Sequence, residues 1–72
     1  MDLKWIEGFM ISVKNDDGNV TISANKEGLL SLADQLIALA EEEIGAHIHY
    51  DMYNSLEDGS SEMIIERIKY IF

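Results

Sequence analysis

Apolar residues crowd the opening segment, where Leu3, Trp5, Ile6, Phe9, Met10, Ile11 and Val13 are interrupted by Gly8. After the glycine, Phe9, Ile11 and Val13 alternate with Met10, Ser12 and Lys14. This is the period-two pattern of a strand with one better-buried face, and it predicts a strand over 3–13 with a bulge or bend at Gly8. Lys14-Asn15-Asp16-Asp17-Gly18-Asn19 follows. Asn, Asp and Gly accept the positive φ of tight turns, so a second strand is expected to fold back as a hairpin with Val20, Ile22 and Ala24 facing inward.

The period then changes. Asn25 offers a side-chain oxygen to the free amides of a helix start, and a helix is expected from Lys26 to about Glu43. Leu29, Leu32, Ala33, Leu36, Ile37, Ala40 and Ile44 recur at spacings of three and four as one apolar stripe, which Leu30 and Leu39 widen. Ser31, Asp34, Gln35, Glu41 and Glu42 are expected to face away. Glu41-Glu42-Glu43 opposes the helix dipole, marking an exposed end, and Gly45 is the expected cap.

Ala46 to Met52 alternates again, with Ile48, Tyr50 and Met52 opposite His47, His49 and Asp51. Tyr53 to Ser60 reads as a turn. From Ser61 to Phe72, Met63, Ile64, Arg67, Ile68, Ile71 and Phe72 also satisfy helical spacing, but the isoleucines at 64, 65, 68 and 71 with Tyr70 favour a strand. The chain therefore reads as an α+β fold in one domain, 1–72, ordered β-β-α-β-β. The expected architecture is a mainly antiparallel four-stranded sheet with one helix packed on one face. The last strand carries apolar side chains on both sides, so the second face is expected to be partly covered, and a homodimer would do it.

Composition narrows the class. Hydrophobic residues at 47% and charged residues at 26% of 72 match a soluble globular domain. No apolar run approaches the ~20 residues that span a bilayer, and Met1-Asp2-Leu3-Lys4-Trp5 lacks the basic start of a secretory signal, so a cytoplasmic location is expected. With no Cys, neither disulfides nor thiolate metal sites are available. Fourteen acidic against five basic residues give a net charge of −9, which repels nucleic acid and anionic membranes and attracts a basic partner.

Candidate chemistry centres on His47-x-His49-x-Asp51. Alternate residues of a strand share a face ~6.6 Å apart, within reach of one zinc ion, but Asp51 would lie ~13 Å from His47. Further ligands would have to be carboxylates from a neighbouring strand or subunit. The simpler reading is polar residues on the wetter face of a strand, and no metal or other cofactor is expected. Catalysis requires a pocket and a positioned partner for either His, for which a chain of this size has little volume, and no enzyme is expected. Asp51 to Glu62 spans the length of a calcium loop, but Leu56 stands where glycine is required. Glu41 to Glu43, Asp51, Glu57, Asp58 and Asp2 form an acidic surface, solvated by default.

Val20 to Leu29, then His47-Ile48-His49-Tyr50-Asp51, then Asn54-Ser55-Leu56-Glu57-Asp58-Gly59-Ser60 leading into Glu62-Met63-Ile64-Ile65-Glu66, occur in an order that resembles the immunity protein 32 family of bacterial polymorphic toxin systems. The resemblance covers about three quarters of the chain. It implies a cytoplasmic protein that binds a cognate toxin and blocks it by occlusion. Many such toxins are nucleases with basic clefts, toward which an acidic inhibitor is steered. The motif residues His47, His49 and Asp51, with Glu57 and Asp58, are then the expected partner contacts. The competing expectation is a small metal-binding or dimeric accessory domain using the His47 and His49 face.

Overall fold

The computed structural model describes residues 1–70. Its elements are β1 (Ile11–Asp16), β2 (Asn19–Ala24), α1 (Lys26–Ala40), β3 (His47–Tyr50) and β4 (Met63–Glu66), in the β-β-α-β-β order expected. β1 and β2 pair antiparallel from Ile11 opposite Ala24 to Asp16 opposite Asn19. Asp17 and Gly18 take φ of 52° and 88°, the two positive values a two-residue turn needs to match the twist of its strands. β3 and β4 pair antiparallel from His47 opposite Glu66 to Tyr50 opposite Met63. Gly45 N–H to Arg67 O and Arg67 N–H to Ala46 O, both 2.8 Å, prolong that ladder.

Two two-stranded sheets replace the single four-stranded sheet that was expected. They are joined nonetheless. The segment after Leu56 runs beside the free edge of β1, with Glu57 N–H donating to Ile11 O at 2.9 Å and Ser61 N–H to Val13 O at 2.8 Å. The Ser60 hydroxyl accepts from Val13 N–H at 3.2 Å. The fourth strand is also shorter than the 61–72 segment expected, and Ile71 and Phe72 lie outside the described residues.

The first strand begins eight residues later than its apolar density predicts. Residues 3–10 form an arm with a turn at Gly8, where φ is 88°. With no ladder, the arm's backbone is held by its own turn, Phe9 N–H to Ile6 O at 3.1 Å, by Asn25 N–H to Met10 O at 3.1 Å, and otherwise by side chains. Ile6 N–H donates to the Ser31 hydroxyl at 2.8 Å, Gln35 Nε2 to Lys4 O at 2.9 Å, and Asn25 Nδ2 to Gly8 O at 2.9 Å. Asn25 is the helix N-cap as expected. Its Oδ1 accepts from Gly28 N–H at 2.8 Å and also from Met10 N–H at 3.0 Å.

These bonds set the roll of α1. Its buried residues are Gly28, Ser31, Leu32, Gln35 and Leu39, whereas Leu29, Leu30, Ala33, Leu36, Ile37 and Ala40 are exposed. The expected burial of the leucine stripe, with Ser31 and Gln35 outward, is therefore overturned. Ser31 and Gln35 bond the arm's backbone across part-buried contacts, so their face of the helix turns in. The helix ends at Ala40, three residues before the expected Glu43. Glu41 rather than Gly45 is its cap, with its N–H directed at the Ala38 and Leu39 carbonyls.

Ile11, Val13, Leu32, Leu39, Ile48, Tyr50 and Leu56 form the core, with Trp5, Phe9, Ala24, Ala46, Met63 and Ile65 packed around it. Phe9, Ile11 and Val13 face inward as the alternation predicts, but Val20 and Ile22 do not: among the described residues nothing packs over them, and both are exposed. Trp5 stacks on Phe9 at 4.4 Å and meets Tyr50 edge-on at 6.2 Å. Tyr50, fully buried, donates its hydroxyl to Gln35 Oε1 at 2.7 Å. Burial holds its pKa above the ordinary value of 10.0.

Two outcomes test this packing. A Cβ at position 28 would lie 2.6 Å from Met10 O and 2.9 Å from Ile11 Cγ1. Gly28→Ala should therefore destabilise by about 1–3 kcal/mol in urea unfolding, despite alanine's better helix propensity. Tyr50→Phe should cost about 1–2 kcal/mol at neutral pH by orphaning Gln35 Oε1. Because the folded phenol has the raised pKa, its contribution is complete below pH 10.0 and is lost as pH rises through the folded value. The gap between wild type and Tyr50→Phe should narrow over that range.

Candidate functional site

β3 has one face in the core and one in water. Ile48 and Tyr50 point inward, and His47 and His49 point out, as their alternation predicts. Asp51 continues the outer face one step past the strand. Across the ladder, Glu66 stands opposite His47 and Ile64 opposite His49. Glu62, one residue before β4, reaches the same place: its Oε2 lies 3.6 Å from His49 Nε2. The outer face of this hairpin thus combines two imidazoles and three carboxylates with Ile64, which is 62% exposed.

Asp51 and Asn54 anchor the end of the face. Asp51 Oδ1 accepts from Tyr53 N–H at 2.8 Å and Asn54 N–H at 3.0 Å. Asn54 in turn donates Nδ2 to His49 O at 3.0 Å and accepts from Asp51 N–H at 3.2 Å. The loop amides of Ser55 and Leu56 close on Asp51 O, which drops Leu56 into the core. Asn54 is therefore a structural bracket that fixes the spacing of His49 and Asp51.

Ligand atoms of His49, Asp51 and Glu62 lie within 4.8 Å of one another. One imidazole nitrogen and two carboxylate oxygens are a donor set that a divalent transition metal accepts. A closed structural zinc site needs four donors, however, and two of these three residues are exposed. His47 is not in the cluster; its Nδ1 turns toward Gly45 O at 3.4 Å. The third donor comes from a carboxylate on the neighbouring strand segment, not from the second His.

Glu57 and Asp58 occupy another neighbourhood. Glu57 is bonded through its backbone to Ile11 and lines a shallow depression of about 310 Å³ with Met10, Ile11, Ser12, Ser23, Ala24 and Asn25. The five expected contact residues thus divide between the outer face of β3 and the edge of β1. Sequence reasoning missed Glu62 and Ile64. Counting alternation back from β4 to the Gly59 turn places both on the outer face beside His49.

A family model described as Immunity protein 32 matches residues 19–68, more than two thirds of the chain. The chain belongs to the immunity protein 32 family. No significant match is found among curated proteins or among solved structures. The family match spans every element except β1, so it contains the whole β3–β4 face, both the Asp51–Asn54 bracket and Glu62. An immunity protein's role is to neutralise a toxin, and among the described residues no helix is long and apolar enough to cross a membrane.

The bracket makes a direct prediction for this family member. Asn54→Ala removes two bonds that hold the loop and should cost about 1–2 kcal/mol in thermal or urea unfolding. His49→Ala removes only an exposed pairing with Glu62 and should leave stability within error of wild type.

Proposed function

We propose that this chain neutralises a cognate bacterial polymorphic toxin in the cytoplasm by binding it and occluding its working surface, without turning over a substrate of its own. The match to the immunity protein 32 family over residues 19–68 carries the reading. The contact surface is assigned to the outer face of β3 and β4: His47, His49 and Asp51, with Glu62 and Ile64 beside them. Glu57 and Asp58, at the edge of β1, extend it as acidic rim.

Electrostatics support a basic partner such as a nuclease with a cationic cleft. A net charge of −9 steers encounter with a basic surface. Rim charges act chiefly on the association rate, while a half-exposed isoleucine set among imidazoles supplies the apolar anchor that slows dissociation.

A second reading, a metal-binding accessory domain, draws on the His49, Asp51 and Glu62 donors. Zinc titration separates the two. Submillimolar binding lost in His49→Ala and retained in His47→Ala would favour the metal; its absence leaves occlusion.

Co-expression with a candidate toxin from the neighbouring reading frame tests the main reading. The chain should restore growth, and His49→Ala combined with Ile64→Lys should weaken toxin binding about tenfold or more. Glu57→Lys with Asp58→Lys should slow association with little change in dissociation. Unchanged binding in both double variants would show that the contact surface lies elsewhere.

A further inference from the structure

α1 is apolar on two sides. Successive residues turn about 100° around a helix, so Leu29, Leu30, Ala33, Leu36, Ile37 and Ala40 form a second continuous stripe beside the buried one. All six are exposed, with Leu29 at 56% and Ile37 at 66%. In globular proteins a continuous apolar stripe on a helix normally faces a packing partner. Among the described residues nothing covers the outer stripe.

We propose that the outer stripe of α1 is the surface by which two copies of this chain pair, helix against helix, antiparallel about a two-fold axis. The profile fits, because Ala33 and Ala40 alternate with leucine and isoleucine along the stripe and let two helices approach closely.

Charge selects the direction. A two-fold interface uses one patch on both copies, so the patch must complement itself. Lys26 and the positive end of the helix dipole lie at one end of the stripe, and Glu41, Glu42 and Glu43 lie just past the other. Antiparallel pairing sets Lys26 of each copy near the glutamates of its mate. Parallel pairing would stack six glutamates together. The arrangement differs from a dimer formed through a sheet face, and it leaves the outer face of β3 and β4 open, so it stands or falls separately from toxin binding.

Sedimentation equilibrium of the full chain at micromolar concentration should return twice the chain mass of 8.2 kDa. Ile37→Glu, at a site 66% exposed, should return the single-chain mass with an unchanged far-ultraviolet circular dichroism spectrum. Lys26→Glu should weaken pairing about tenfold, and adding Glu41→Lys should recover it. Because the chain has no cysteine, Ala33→Cys gives a single thiol near the axis that should oxidise to a covalent dimer, while Thr21→Cys on β2 should not. A wild-type chain that sediments at the single-chain mass, or a dimer that survives Ile37→Glu, would overturn the proposal.

Discussion

The fold depends on how the backbone of residues 3–10 finds hydrogen bonds. This arm lies along the core, with Trp5 and Phe9 partly buried against it, yet it has no strand partner. Buried amides and carbonyls without partners are rare because each forfeits its water without compensation. Ser31, Gln35 and Asn25 provide those partners, all from α1 or its cap. Gln35 also accepts from Tyr50, which joins the arm, the helix and β3 in one polar seam. Among the described residues no buried side-chain nitrogen or oxygen lacks a partner.

That seam explains what was legible in the sequence and what was not. The order of elements, the Asp17-Gly18 hairpin, the Asn25 cap and the inward face of Phe9, Ile11 and Val13 follow from local chemistry, and local chemistry is what period and residue type report. The roll of α1 does not. Hydrophobic spacing ranks helix faces by apolar content, and on that ranking Ser31 and Gln35 belong outside. A demand for hydrogen bonds from a segment 25 or more residues away outweighs it, and nothing within the helix encodes that demand. Val20 and Ile22 fail for a related reason: a pleat fixes which residues share a face, while burial of the face depends on whether another element arrives.

The site shows the same division. That His47, His49 and Asp51 share a face follows from alternation along one strand. That Glu62 joins His49 while Glu57 sits beside Ile11 depends on the path of the 51–62 loop, which is fixed by Asp51 O, Asn54 and the burial of Leu56. The candidate contact face is thus borne on the β3–β4 ladder, with the loop at its end held by one asparagine. The mixed character of that face, imidazole and carboxylate around an isoleucine, suits a protein surface better than an enclosed ligand.

The bonds of Ile6 to Ser31 and Lys4 to Gln35, closed off by Tyr50, also bear on the order in which the chain can acquire structure as it is made. The arm leaves the ribosome before the helix that bonds it, and the hydroxyl that completes Gln35 comes fifteen residues later still. The polar seam is not complete before residue 50. The seam must therefore close across long sequence separations, which makes it slower to form than the local hairpin and helix.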